Sequence, residues 1–188
     1  GLALALIFIG VIVWALATAS PWGGTPVVLS EIMTSNTSYP DSKGRLCDWI
    51  ELHNRADYAV SLRGYTLSDN LEGAKYTFPE DASIPAGGYY VVSCIRDGGE
   101  DSANFALSRE GGEVVSLTDG NGTLADRVIT RRLDKNTSMI PGEKGVWEVC
   151  LHPTPGYAND AAGRAAYEAA RSRADTGIVL SEVMADNA

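Results

Sequence analysis

Between Val27 and Cys150 the chain is a succession of short runs with the alternation of half-buried strands, spaced about ten residues apart and separated by turn residues. The runs are VVLSEIM, DWIELHN, VSLRGYTLS, KYTF, YYVVSC, EVVSLTD, TLADRVIT and VWEVC. No stretch among them sustains a 3.6-residue apolar period, so the body of the chain is predicted to be all-β. In SLTDGNGTL, the Asp-Gly and Asn-Gly pairs supply residues tolerant of positive φ between two alternating runs, the requirement of a tight hairpin. Seven or eight short strands in roughly 125 residues favour a sandwich over an open sheet.

Length and charge narrow the function classes. At 188 residues the chain suits one ordinary domain with flanking segments. The net charge of -9 arises entirely after Ser30, and no clustered basic run opposes it, so binding to a phosphate backbone is disfavoured. Leu2 to Ala17 is an unbroken apolar run close to the length that crosses a bilayer. It reads as a transmembrane anchor or, with the small-x-small sequence Ala17-Thr18-Ala19, as a signal peptide cleaved after Ala19. Either way the following residues are exported. PWGGTP, Pro21 to Pro26, is then a spacer.

Asp160 to Gly177 is the one helical stretch of the exported part. Asp160 can cap its start, Gly177 can end it, and Glu168 can pair with Arg164 and Arg171. Tyr167 is its only apolar bulk, which predicts a linker rather than a core helix. Directly after it the phrase VVLSEIMTSN, Val27 to Asn36, returns as IVLSEVMADN, Ile178 to Asn187, matching at six of ten positions, Ser, Glu, Met and Asn included. The expectation is one complete domain and the first strand of a second copy. The predicted organisation is therefore 1–20 membrane-directed, 21–26 spacer, 27–159 sandwich, 160–177 linker helix and 178–188 start of a repeat.

LSEIM, DWIELHN, SLRGYTLSD, KYTFP, IPAGGYYVV, NFALSREGGEVVSLTDGNGTLADRV and PTPGYAND, in that order, resemble the lamin tail domain family over about 130 residues. The resemblance implies an immunoglobulin-like β-sandwich of the type found in exported bacterial proteins. It also implies company: such domains occur beside spore-coat-type kinases, nucleases and phosphatases.

The densest polar constellation is Asp48, Trp49, Glu51 and Asn54 of DWIELHN together with Glu31. Strand parity places Glu31 with Leu29 and Met33, Asp48 with Ile50 and Leu52, and Glu51 with Trp49 and His53. Glu31, Asp48 and Glu51 are candidate calcium ligands, since hard cations favour clustered carboxylates. The preferred alternative is that they satisfy backbone amides, because their spacing matches no calcium loop. Asp97 to Asp101, DGGED, reads as a solvated turn. Cys47, Cys94 and Cys150 leave two readings open, one disulfide with one thiol or three small buried hydrophobes. With only His53 and His152 available, neither a zinc site nor a Ser-His-Asp arrangement has ready partners. The sequons at Asn36, Asn121 and Asn136 are incidental in a bacterial exported protein.

No catalytic motif is present, and no cofactor is implied. The sequence therefore predicts a non-catalytic binding, adhesion or scaffolding module outside a cell membrane, its partner a protein or a cell-surface polymer. The alternatives are an accessory domain of a larger exported enzyme and, more weakly, a calcium-dependent binding domain.

Overall fold

The alternating runs do form strands, the first two of them buried on both faces. A computed structural model describes residues 24–70 and 72–175. The apolar run Leu2 to Ala17, the site after Ala19, Gly177 and the returning phrase Ile178 to Asn187 lie outside them.

Eleven strands are described: β1 (Val27–Met33), β2 (Asp48–Asn54), β3 (Val60–Ser61), β4 (Thr66–Ser68), β5 (Tyr76–Thr77), β6 (Ser83–Ile84), β7 (Tyr89–Cys94), β8 (Gly111–Thr118), β9 (Leu124–Arg131), β10 (Ser138–Pro141) and β11 (Trp147–Cys150). One sheet has the order β11-β10-β1-β2-β7, a second β5-β4-β8-β9, and β3 pairs with β6 alone. The core gathers Leu29, Ile32, Ile50 and Leu52 from the first sheet and Leu67, Val115 and Leu117 from the second, none more than 1% exposed.

Three elements differ from the sequence expectation. VSLRGYTLS is not one strand but two, β3 and β4, which join different sheets. The break is a turn in which Tyr65 N–H donates to the Leu62 carbonyl and Gly64 adopts φ +77°, a conformation that costs glycine little. The turn lets Leu62, Tyr65 and Leu67 all enter the core. SMIP forms β10, a strand not foreseen because its flanks carry no alternation. The third difference is a bulge in β1. Leu29 pairs with Leu52, but the next partners are Glu31 and Glu51, so Ser30 is the extra residue. One inserted residue reverses parity: Leu29 and Ile32 face the core, whereas Glu31 and Met33 turn to the other side with Glu51 and Trp49.

The predicted helix is present as α1 (Ala161–Asp175), and Asp160 Oδ1 accepts from Gly163 N–H at 2.7 Å, capping it as expected. Arg164 pairs with Glu168 at 2.9 Å. Arg171 does not join them; its guanidinium lies 5.8 Å from the Tyr39 ring centre. Tyr167 stacks on Tyr39 and meets Tyr157 edge-on, so the helix rests against the loop that follows β1.

Candidate functional site

The bulge decides where the carboxylates go. Glu31 and Glu51 are cross-strand partners, fully buried on the outer side of the first sheet. The chain covers them with the segment that leads to α1: Thr154 N–H donates to Glu31 at 3.3 Å and Gly156 N–H to Glu51 at 2.6 Å. Ser138 Oγ donates to Glu31, and Ser30 Oγ to Glu51 at 2.7 Å. Burial pushes both carboxyls up, to about 7 for Glu31 and about 8 for Glu51, where the neighbouring Glu31 adds to the shift.

Asp48 stands apart from this pair. It accepts from Leu107 N–H at 3.2 Å, and burial raises it to about 6. Among the described residues no group of three or more His, Cys, Asp or Glu is placed to hold a metal ion. Asn54 is a structural clamp, its amide donating to the carbonyls of Tyr58, Ile84 and Pro85 while Ala56 N–H donates to it. Asn36 does the same for the β1–β2 loop through Tyr39 and Cys47. Asp101 of the acidic turn pairs with Lys43 and Arg45. Cys47, Cys94 and Cys150 are free thiols, Cys94 buried and the other two half-buried. Trp49 is buried on the same outer face, where it lines a small cavity with Tyr39 and Pro155.

An open feature of the surface that gathers aromatic and basic side chains lies at the other end of β1. β10 aligns with β1 only at Ile32 and Met139, so Val28 to Ser30 have a strand neighbour on one side only. On the other side Asp126 of β9 reaches across, its Oδ2 accepting from Leu29 N–H at 3.0 Å and its Oδ1 from Arg127 N–H at 2.7 Å. That tie between the sheets floors a groove of about 620 Å³.

Three sets of residues shape it. His53 and Tyr89, from neighbouring strands, stack at 4.5 Å and 11° as one wall. Trp147 and Pro141, at the base of the β10–β11 turn, form the opposite wall, and Arg55 and Arg127 stand exposed at the rim. Burial lowers the His53 pKa, which favours a neutral ring at pH 7. The hydroxyls in the lining belong to Ser30 and Tyr89, and Ser30 Oγ donates to Glu51 rather than to the imidazole. The groove thus lacks a nucleophile aligned with a base. It offers instead flat aromatic and apolar surface with two guanidinium groups, a composition suited to binding.

Of these residues the sequence singled out only His53. Arg55, Tyr89, Arg127, Trp147 and Asn159 come from separate segments, and no local pattern marks them; only the sheet order assembles them. No curated protein matches the chain. The sequence profile of the lamin tail domain matches residues 22–131.

Proposed function

The chain belongs to the lamin tail domain family, and on that premise we propose that it is a non-catalytic binding module presented on the outer side of a bacterial cell membrane. The family supplies an immunoglobulin-like, non-catalytic sandwich. The observation that carries the binding role is the groove: aromatic walls and two exposed arginines, beside a serine whose hydroxyl is already held by Glu51. Arg55 and Arg127 belong to none of the ion pairs among the described residues, and they stand out on a chain of net charge -9. The fitting partner is a protein segment or a cell-surface polymer that carries negative groups. The apolar run Leu2 to Ala17 supports export, either as an anchor or as a leader removed after Ala19.

Two measurements test this. Protease added to intact cells should digest the chain without prior lysis; protection until lysis overturns the location. Sedimentation with isolated envelope material should show the chain bound, and Arg55→Glu with Trp147→Ala should reduce that binding about tenfold or more. Undiminished binding removes the groove from the reading.

A further inference from the structure

We propose that the outer edge of β9 receives the segment Ile178 to Asn187 of a second copy of this chain as an added strand. The inference rests on the groove being a binding surface and names its occupant.

β9 is the last strand of its sheet, paired with β8 on one side and with no strand on the other among the described residues. Such an edge presents unpaired backbone donors and acceptors to an extended peptide. From Arg127 onward β9 alternates strictly, with Val128 and Thr130 buried and Arg127, Ile129 and Arg131 exposed, Ile129 at 67%. The outward face therefore reads cation, apolar, cation. Arg127 and Arg131 have no carboxylate partner among the described residues, whereas Arg132 beside them is paired with Glu110. An added strand places its own alternate side chains next to these three, because cross-strand neighbours on one face sit about 5 Å apart.

Within the returning phrase, Glu182, Met184 and Asp186 read acid, apolar, acid at alternate positions. The order is symmetric, so it complements Arg127, Ile129 and Arg131 in either strand direction. The first seven residues of the phrase, Ile178 to Met184, have counterparts that form a strand at β1, Val27–Met33, while the counterpart of Asp186, Ser35, lies just past its end. A second copy is the better donor. The helix α1 starts beside Asn159 of the groove, and its Tyr167 and Arg171 lie on Tyr39, beyond the far end of β1 from Val28. Its 15 residues carry the chain about 22 Å in that direction, with two residues left before Ile178.

The test is the binding of a fluorescent peptide of residues 178–187 to the full chain in mild detergent, read by anisotropy. The expected result is saturable binding that falls about tenfold or more in Arg127→Glu with Arg131→Glu. A peptide with Glu182→Lys and Asp186→Lys should bind that double variant more tightly than it binds the unaltered chain. N-methylation at alternate peptide nitrogens should abolish binding. Both arginines are exposed, so an unchanged thermal midpoint confirms that the variant is folded. Absence of saturation, failure of the reversed peptide to recover, or indifference to N-methylation overturns the proposal. If the peptide fails while envelope binding through Arg55 and Trp147 persists, the groove remains a binding site and only this occupant is wrong.

Discussion

Glu31 and Glu51 show how much a single residue can carry. Both carboxyls are raised above the ordinary value near 4.5, so the folded chain holds protons that the unfolded chain releases. The sign follows: their contribution to stability is fully present below about pH 4.5 and is lost as pH rises through about 7 and 8. The thermal midpoint is therefore expected to fall between pH 5 and pH 9, followed by circular dichroism. Glu51→Gln should flatten that slope, because glutamine can accept from Gly156 and donate to the Ser30 hydroxyl without ionising. A slope unchanged in Glu51→Gln would place the proton elsewhere, Glu31 being the next group raised by burial and Asp48 the one after it. Calcium or chelator should leave the midpoint of the unaltered chain in place, since Asp48 sits apart from the glutamate pair. The sequence singled out these carboxylates as a polar cluster that satisfies backbone amides, and Thr154 and Gly156 N–H are such partners. The pairing of the two carboxylates was not legible, because the bulge at Ser30 reverses parity and has no signature in VVLSEIM.

Among elements, the helix α1 separates local from tertiary information most clearly. Its existence, its cap at Asp160 and its Arg164–Glu168 pair were readable from spacing alone. Its docking was not, since one tyrosine and a row of alanines predict a free linker. Gly163 tests how the start of α1 is held by the segment before it. In a free helix Gly163→Ala gains about 1 kcal/mol from propensity. Here a Cβ at that position meets the Ala158 carbonyl oxygen, within the segment that covers the glutamates. The backbone must shift to admit it, and overpacking of this kind costs about 1–3 kcal/mol. Urea denaturation should show Gly163→Ala to be destabilised, and a stabilised variant would mean that the turn from Ala158 into α1 is not closed in this way. The split of VSLRGYTLS was hidden for a related reason. Arg-Gly within an alternating run reads equally as a strand interior or as a corner, and only the need for Leu62 and Leu67 to enter one core from different sheets selects the corner.

For the whole molecule, the sandwich was legible because alternation and turn chemistry repeat throughout, while the groove was not, because it exists only where sheet edges meet. The consequence for assembly follows from symmetry. The proposed contact pairs Arg127, Ile129 and Arg131 of one copy with Glu182, Met184 and Asp186 of another, so it joins unlike patches and leaves one of each free unless two copies exchange segments reciprocally. Such a heterologous contact either closes a ring or continues as an open array; it does not stop at a twofold dimer unless the geometry closes there. Sedimentation velocity in detergent should then show the mean mass rising with concentration, without a plateau at two copies. Glu182→Lys with Asp186→Lys should hold the chain at a lower mass, and mixing it with Arg127→Glu, Arg131→Glu chains should restore growth. The pairs are exposed, so growth should weaken between low salt and 0.5 M salt, where screening shortens the reach of surface charge to a few ångströms. Mass that ignores both the charge reversals and the salt would show association through some other face of the sandwich.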